Sequence, residues 1–351
     1  MAYTTIDDPS AYFNSLIYTG NVTVRALTFD GNSDLAVDWI WLKSRSISGN
    51  HHLYDSVRGT QKHLRSNLDS AEGTNGGTDG VTAFSSNGVT IGTNTASNDD
   101  GETFVGWGWK AGTSFTNDAS GTGIGTIDSA GSVNTDAGFS IISFTGTETS
   151  SQSVAHGLGA VPELIISKSR DVADNWMVYH GTYSSQQYQS LNLTTAVASS
   201  ANIWTSLPTS TVINIGDNAG VNDDGAMIMY AFRSVQGYSK FGSYTGNGNA
   251  DGTFVYTGFK PALIIFKNAD SGSADWVLYD NKRDGFNSNN IALYPNANAA
   301  DDTGNDPDIL SNGFKQRATG SDRNGNGENI IYMAFAENPF VTSGGVPGLA
   351  E

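Results

Sequence analysis

The sequence has no cysteine, few charged residues and no long hydrophobic run, and each absence excludes a class of protein. Without cysteine there are no disulfides, thiolate metal sites or cysteine nucleophiles, so stability must come from packing. No apolar run approaches the roughly 20 residues that cross a bilayer. The opening residues, 1–9, lack the basic patch and apolar core of a signal peptide, so we do not expect export by the usual route.

Basic residues are scarce as well. The chain has 18 Lys and Arg against 35 Asp and Glu, which gives a formal net charge of −17. Nucleic-acid binding needs clustered Lys and Arg to neutralise phosphates, and an anionic membrane surface attracts the same residues. We therefore expect neither a nucleic-acid partner nor membrane insertion.

What the sequence does contain is typical of short strands and turns. It has 351 residues, enough for two or three domains, with 42 Gly and 11% aromatic residues. Apolar or alternating segments such as 162–167 and Ala226–Phe232 are bounded by Gly, Asn and Asp, and none sustains a helical period. These patterns predict an all-β fold of β-sandwich or jelly-roll-like modules.

Four landmarks recur three times in the same order, which indicates an internal repeat. The first is an aromatic residue followed by Thr-Gly, ending at Gly20, Gly146 and Gly246. The second is an apolar run ending in a lysine, 24, 23 and 22 residues after the landmark threonine (19 to 43, 145 to 168, 245 to 267). The third is a tyrosine 11, 11 and 12 residues further on: Tyr54, Tyr179 and Tyr279. The fourth is an Asn- and Asp-rich turn before an aromatic strand, at 98–101, 222–225 and 324–327.

The landmarks divide the chain into three tandem modules, 12–110, 138–235 and 236–340, after an N-terminal segment, 1–11. Residues 111–137 are rich in Gly, Ser, Thr and Asn and are interpreted as an extended, weakly packed linker. The second and third modules abut at 236–238, so we expect them to share an interface. The C-terminal tail, 341–351, is expected to be loosely held.

The repeated residues are interpreted first as scaffold. Lys43, Lys168 and Lys267 end buried strands, where each side chain is expected to lie over the sheet rim with its ammonium in water. Trp176 and Trp276 precede their landmark tyrosines by three residues, and His51 takes that place in the first module. A shared core position is the favoured interpretation, rather than a sugar platform.

One segment resembles the opening of a calcium loop, with oxygen-bearing side chains at alternate positions: Asp322, Asn324, Asn326 and Glu328. The twelfth position is Met333, so the bidentate glutamate is missing. The segment also coincides with the repeated turn, where Asn-Gly and Asp-Gly supply the positive φ that hairpins need. The turn is favoured, and calcium is the only cofactor hypothesis.

Other polar groups are weaker metal candidates. The acidic segment 301–308 carries carboxylates, although blocks of like charge are usually solvated loops. His51 and His52 are adjacent strand residues that point to opposite faces, which makes joint ligation awkward. The glycines at 121, 123 and 125 have no helix after them and fail the test for dinucleotide binding. Nothing specifies a reaction, and we predict that the protein is not an enzyme.

The sequence resembles a module found repeatedly in tail-fibre-like and other structural proteins of marine tailed bacteriophages. The resemblance rests on segments spread over nearly the whole chain: 1–12, 18–21, 39–45, 53–59, 69–72, 104–110, 156–159, 240–246, 256–261, 280–284 and the closing Tyr-Met-Ala-Phe-Ala-Glu-Asn-Pro-Phe at 332–340. It implies a component of the virion, in contact with other virion proteins. It carries no known catalytic residues to transfer.

Three functions are compatible with this resemblance. The leading hypothesis is a tail-associated fibre or adhesion protein whose loops contact a host surface glycan or protein. The alternative is a capsid decoration or head-fibre protein that stabilises or coats the phage head, and a polysaccharide depolymerase is less favoured. Long tail fibres begin with an anchoring region and a shaft, whereas the first module here starts within about a dozen residues. This favours a compact fibre, tip or spike, or the decoration.

The oligomeric state and the ligand site are left with open alternatives. A homotrimer suits a fibre or spike, but three internal repeats could also give one chain an approximate threefold shape. If a host ligand binds, the loops around Tyr183, Tyr188 and Trp204 are the predicted place, because these aromatics lie outside the repeated landmarks.

Overall fold

Short antiparallel strands form almost all of the regular structure, as a computed structural model that describes residues 2–304 and 307–348 shows. The helices described are a 3-10 turn, Pro9–Ala11, and four single turns: α1 Thr95–Asn98, α2 Ala119–Thr122, α3 Ala219–Asn222 and α4 Ser321–Asn324. The predicted all-β fold class is confirmed.

The first module contains β1 Phe13–Thr19, β2 Arg25–Leu27, β3 Trp39–Ser44, β4 His52–Asp55, β5 Lys62–His63, β6 Gly73–Thr74, β7 Val81–Ser85, β8 Gly88–Ile91 and β9 Thr103–Trp109. Its main sheet has the order β1-β9-β3-β4, and a second sheet has the order β2-β8-β7. Between these two sheets lies a hydrophobic cluster that includes Leu27, Phe29, Ile40, Leu42 and Val89, as in a β-sandwich.

The second module follows β10 Thr113–Asn117 and β11 Ser129–Asn134, and contains β12 Phe139–Thr145, β13 Gln152–Ala155, β14 Leu164–Ser169, β15 Met177–His180, β16 Gln187–Ser190, β17 Ala198–Ser199, β18 Val212–Ile215 and β19 Ala226–Phe232. Its main sheet has the order β10-β11-β12-β19-β14-β15-β16-β17, and β13 pairs with β18. The main sheet therefore draws two strands from outside the predicted module.

The third module contains β20 Ser239–Thr245, β21 Phe254–Tyr256, β22 Phe259–Asn268, β23 Trp276–Asp280, β24 Ile291–Ala292, β25 Asp302–Thr303, β26 Pro307–Leu310, β27 Gly313–Gln316 and β28 Asn329–Pro339. Its main sheet has the order β20-β28-β22-β23, and β21, β27 and β26 form a second sheet. A separate hydrophobic cluster that includes Phe266, Tyr279 and Phe314 lies between them.

The three main sheets share one topology. In each, the strand with the aromatic-Thr-Gly landmark pairs with the last aromatic strand, which pairs with the lysine strand, which pairs with the tyrosine strand. The same order appears as β12-β19-β14-β15 and as β20-β28-β22-β23. The repeat in the sequence is thus a repeat of structure.

The first and fourth landmarks meet at one end of each sheet. Asn98, Asn222 and Asn324 end the helical turns α1, α3 and α4, and each is fully buried. Each side-chain oxygen accepts from the backbone N–H that follows the landmark glycine (Asn21, Thr147 and Asn247, 2.8–3.0 Å), and each amide nitrogen donates to two or more backbone carbonyls. A Cβ on Gly20 would lie 1.9 Å from the Asp99 carbonyl oxygen, so only glycine fits there.

The inner faces of the three main sheets pack against one another in a shared central cluster. The ring of Phe335 from the third module lies 5.5 Å from Trp109 of the first and 5.7 Å from Phe232 of the second. These three residues occupy equivalent strand positions, each opposite the first residue of the landmark strand. The three modules therefore surround an approximate threefold axis within one chain.

Each junction between modules also has a polar contact at an equivalent place. Trp276 Nε1 donates to the Ser190 carbonyl (3.0 Å), and Trp176 Nε1 donates to the Arg65 carbonyl (2.9 Å). His51, at the same repeat position in the first module, makes the equivalent contact: its Nε2 donates to the Tyr294 carbonyl (3.0 Å). The contacts run from third to second, second to first and first to third module, so the ring is closed.

The predicted linker, 111–137, is not weakly packed, and that prediction is wrong. β10 pairs with β11, and β11 pairs along its length with β12, so these strands extend the sheet of the second module. Ile127, Val133 and Ala137 are buried. Backbone hydrogen bonds hold strands of small polar residues when a free sheet edge lies alongside, whatever their side chains.

The landmark lysines are also more buried than predicted. Lys43, Lys168 and Lys267 have no exposed surface, so their ammonium groups are not in water. Each Nζ donates to backbone carbonyls instead: Lys267, for example, bonds the carbonyls of Thr194 (2.8 Å) and Ala274 (2.5 Å). Burial lowers the pKa of each of the three lysines to about 8.

Both ends of the chain pack beside the third module. Thr4 Oγ1 donates to the Gln236 carbonyl (2.7 Å), and Ile6 is buried. In the predicted loose tail, 341–351, the backbone N–H of Ser343 donates to Asp7 Oδ1 (2.6 Å), and Gly348 N–H donates to the Phe340 carbonyl (2.7 Å). Residues 341–348 are therefore tied to the body, and 349–351 lie outside the described residues.

Candidate functional site

The aromatics predicted to bind a ligand are mostly inside the protein. Tyr183 is 6% exposed, and its hydroxyl donates to Gln189 Oε1. Trp204 is 2% exposed and packs edge-on against the landmark residue Tyr179. Tyr188 is half-buried and packs against the central cluster. The rings of Tyr183 and Trp204 fill the core of the second module and offer little exposed surface, while binding by the loops around these three aromatics stays a prediction.

Three of the four calcium candidates form hydrogen bonds within the protein, and the fourth is exposed. Asn324 makes the same hydrogen bonds as Asn98 and Asn222 in the other two repeats, so its amide group is fully used. Asp322 Oδ1 accepts from the Asp275 N–H (3.2 Å), and Glu328 Oε2 accepts from Asn268 Nδ2 (2.6 Å). Asn326 is exposed. The segment is thus a one-turn helix with a turn after it, and Gly327 has the predicted positive φ of 78°.

The acidic segment 301–308 is used mainly in ion pairs. Asp301 bonds both Arg45 (2.9 Å) and Arg283 (3.0 Å), and Asp308 bonds Arg317 (2.5 Å). Residues 305 and 306 lie outside the described part. Across residues 2–304 and 307–348, no group of three or more His, Asp and Glu side chains is placed to hold a metal ion.

A cleft between the second and third modules has the character of a binding site. Its volume is about 430 Å³. It is lined by residues from both modules and from the N-terminal segment: Tyr3, Glu163, Ser234, Gln236, Ser239, Lys240, Phe241, Tyr256, Thr257 and Gly258. We call it the 2–3 cleft.

The 2–3 cleft carries an exposed aromatic ring that neighbouring groups hold in place. Tyr256 is 46% exposed and lies at the end of β21, whose Val255 points into the core. Its hydroxyl is 2.8 Å from the hydroxyl of Tyr3, which also donates to the Gly258 carbonyl (2.9 Å). The edge of Phe340 packs against Tyr256 with centroids 6.4 Å apart. The ring is therefore fixed while nearly half of its surface faces solvent.

Charged and hydroxyl groups complete the cleft. Lys240 Nζ donates to the Tyr256 carbonyl (2.7 Å) and lies 5.6 Å from the centre of the Tyr256 ring. Partial burial lowers the pKa of Lys240, and Glu163 nearby opposes that shift. Glu163 Oε2 accepts from the Ser234 hydroxyl. Both charged groups are half-buried, and a donor and an acceptor thus line the same cleft as the aromatic ring.

A smaller cleft of about 190 Å³ occupies the equivalent junction between the third and first modules. Asn14 of the first module there corresponds to Lys240, and Glu337 of the third module corresponds to Ser234. Polar pairs line this 3–1 cleft: Lys282 of the third module bonds Asp30 of the first (2.8 Å), and Asn281 bonds Glu337 within the third module (2.7 Å). None of its lining residues is an exposed aromatic.

The third junction, between the first and second modules, is taken by the chain itself. Asp38 corresponds to Glu163 in the lysine strands, and its Oδ2 accepts from the N–H groups of Ala111 (2.9 Å) and Gly112 (2.7 Å). The chain leaves here for β10. Of the three equivalent positions, the 2–3 cleft is thus the most open and the one with an exposed aromatic.

Sequence reasoning missed Tyr256 because it concentrated on aromatics outside the repeat in the second module. A signal existed: β21 reads Phe-Val-Tyr, and alternation requires that either the valine or the two aromatics face solvent. The sequence alone does not tell which face is buried.

A family model matches residues 8–339, which is nearly all of the three-module body. Its description is a domain of unknown function, DUF7483. The chain belongs to this family. Since the match runs from the first module through the third, the family domain comprises the whole ring rather than one repeat. No curated protein and no solved structure matches the chain. The helices of the described ranges are single turns, far too short to cross a bilayer.

Proposed function

We propose that the protein is a structural component of a tailed-bacteriophage virion, a tail-associated fibre or adhesion protein that contacts a host surface glycan or protein. The observation that carries the proposal is the 2–3 cleft, where a fixed, exposed tyrosine ring shares the lining with a carboxylate and an ammonium. Concave sites of a few hundred Å³ with a small number of placed polar groups are typical of ligand binding. The sequence resemblance supplies the biological setting.

The shared core supports the same proposal. An adhesion protein gains affinity when its contact groups are already ordered before binding. Here one wall of the cleft, Ser239 to Phe241, belongs to β20, and Phe241 also packs in the central cluster. The site is therefore held by the most buried part of the protein.

Competition for adsorption tests the function. Purified protein added to host cells should reduce phage adsorption in a dose-dependent way, and immunogold label should lie on the tail. The Tyr256→Ala variant should compete far less well, whereas Tyr188→Ala should compete normally. Label confined to the capsid shell, with no competition by the intact protein, would refute the proposal.

A second candidate, a decoration or head-fibre protein that stabilises or coats the capsid, is favoured by the threefold arrangement of modules. A single chain with this shape can occupy a position of threefold symmetry without forming a trimer. Quantitative mass spectrometry of virions separates the two functions. A copy number comparable with that of the major capsid protein indicates decoration, and a small number per particle indicates a tail component.

A further inference from the structure

We propose that the 2–3 cleft binds one or two rings of a neutral saccharide, which stack on Tyr256 and form hydrogen bonds with Glu163 and Lys240. The inference rests on the proposed adhesion function and names the ligand class of its site. Nothing in the family description assigns this cleft a ligand.

The size of the cleft fits a small ligand. Its volume of about 430 Å³ lies in the lower part of the range for small-molecule sites, roughly 300 to 1,000 Å³. One or two sugar rings fill such a space, whereas a folded partner would need a much larger buried area, on the order of 800 Å² on each side.

The chemistry of the lining fits a sugar better than a peptide. A pyranose has an apolar face of C–H groups that packs on an aromatic ring, and a rim of hydroxyls that both donate and accept. Tyr256 supplies the ring, Glu163 is an acceptor, and Lys240 is a donor. A peptide would need apolar side-chain pockets, and the one large apolar group in the lining other than the tyrosines, Phe241, is 7% exposed.

The balance of charge favours a neutral saccharide. The two ionised groups of the cleft, Glu163 and Lys240, have opposite signs, so the site presents no net charge to a ligand. The protein as a whole carries a formal charge of −17, which repels anionic polysaccharides at long range. An uncharged sugar escapes this repulsion.

The cleft is also organised before binding. The Tyr3 hydroxyl and the Phe340 edge fix Tyr256, the Tyr256 carbonyl holds Lys240, and Ser234 holds Glu163. Few side chains must lose freedom when the ligand arrives, so the entropic cost of ordering them subtracts little from the affinity for a small sugar. The 3–1 cleft is an internal comparison, because its polar pairs leave no free ring.

Saturation-transfer difference NMR with defined sugars tests the inference. The probes are methyl α-glucopyranoside, methyl β-galactopyranoside, N-acetylglucosamine and lactose, each added to the full chain. At least one should show transfer to its ring protons. Tyr256→Ala should abolish the transfer, Glu163→Gln should weaken binding about tenfold (a loss of about 1.4 kcal/mol), and Tyr256→Phe should keep the ring and most of the binding.

Two control variants distinguish sugar binding in the 2–3 cleft from non-specific binding elsewhere on the surface. Phe254→Ala removes an aromatic that is equally exposed, at 46%, on the same strand as Tyr256 but outside the cleft lining. Lys282→Ala alters the 3–1 cleft. Both should leave transfer unchanged, and unchanged thermal unfolding will show that each variant is folded. No transfer to the intact protein from any probe, transfer that survives Tyr256→Ala, or equal loss in Phe254→Ala would overturn the inference.

The adsorption assay distinguishes failure here from failure of the proposed function. If the protein competes for host cells while none of the sugars binds, the adhesion function is supported and the saccharide site is refuted. Loss of adsorption after protease treatment of the cells would then point to a protein ligand. If a sugar binds but the protein does not compete, the saccharide site is supported and the adhesion function is refuted.

Discussion

The hydroxyl of Tyr230 in the second module donates a 2.7 Å hydrogen bond to the Asp55 carboxylate of the first, which is itself paired with Arg58. All three side chains are buried, and burial raises the pKa of Tyr230 well above its ordinary value, so the phenol remains a donor. The same arrangement joins the first module to the third: Trp107 Nε1 of the first donates to Asp280 of the third (3.1 Å), which is paired with Arg283. At the remaining junction His180 Nε2 donates to the Tyr332 carbonyl (3.3 Å).

Removing the Tyr230 hydroxyl should weaken the body. Tyr230→Phe leaves a buried carboxylate with one donor fewer, and hydrogen bonds to charged groups contribute about 1.5–3 kcal/mol. We expect the free energy of unfolding, measured by urea titration, to fall by about that amount. Tyr256→Phe, which removes an exposed hydroxyl, is the control and should change it by less than about 0.5 kcal/mol. Equal effects in the two variants would contradict the structural role of the Tyr230 contact.

Asn324→Asp separates the turn from a calcium site. The variant loses the two donors of the amide, which bond the carbonyls of Ala318 (2.6 Å) and Asn249 (2.9 Å), and adds a buried charge. Thermal unfolding should therefore occur at lower temperature, corresponding to a loss of about 1–3 kcal/mol, with or without added calcium. Asn326→Asp, at an exposed position, should be neutral. A variant that calcium restores or stabilises beyond the original protein would show that the segment binds the ion.

Stability should fall as the pH drops below about 6.5. All five histidines are buried, and burial lowers the pKa of His52 to about 3 and of His180 to about 4. In the unfolded chain their pKa is near 6.5, so below that pH the unfolded state takes up protons that the folded state cannot. Each of these histidines should then cost up to about 1.4 kcal/mol per pH unit down to about pH 4.

Urea unfolding at pH 7, 6 and 5 will measure this dependence. Paired carboxylates such as Glu72, whose pKa arginine contacts lower, add to acid unfolding only below about pH 4.5. A free energy of unfolding that stays constant from pH 7 to pH 5 would show that the imidazoles are not held neutral by burial.

The three modules should unfold together. Their inner faces contribute to one hydrophobic cluster, so losing one module exposes rings of the other two. Calorimetry should give one transition whose calorimetric and van't Hoff enthalpies agree. Three resolved transitions would mean that the modules are independent domains.

A single chain should be the unit in solution. The equivalent contacts made by Trp276, Trp176 and His51 close the ring within one molecule, so no partner copy is needed to cover the central cluster. Light scattering during gel filtration should give the mass of one chain. A mass three times larger would support the homotrimer instead, with the trimer formed through surfaces outside this ring.

The repeat and the fold class could be predicted because both are written in local patterns. Glycine and asparagine recur where the backbone approaches closely, and the short apolar runs are typical of strands. The closure of the ring was harder to predict, because Asp55 and Tyr230 are 175 residues apart and neither belongs to a recognised pair motif. One signal was available: β3 and β14 begin with unbroken apolar runs, Trp-Ile-Trp-Leu and Leu-Ile-Ile, rather than alternating, which indicates strands buried on both faces.

The binding site was predicted less well, for a related reason. Aromatics outside the repeat, such as Trp204, looked free for function, but a sandwich without cysteine needs large rings to fill its core. Burial of the lysines could not be predicted for another reason: the carbonyls that Lys267 bonds, those of Thr194 and Ala274, lie in loops that no sequence pattern aligns. Exposure of Tyr256 follows from which face of the β21-β27-β26 sheet packs against the main sheet of the third module, and that is a tertiary property.

Because the three junctions carry different side chains, they favour one cyclic arrangement of the modules over the reverse. Tyr230 and Trp107 each donate a hydrogen bond to an aspartate, whereas Met333, at the same strand position, has no donor. Met333 faces the second module, which has His180 in place of the aspartate. Exchanging two modules would leave a buried Asp-Arg pair opposite a thioether. The different contacts at the three junctions thereby favour one cyclic arrangement of three similar modules when the chain folds.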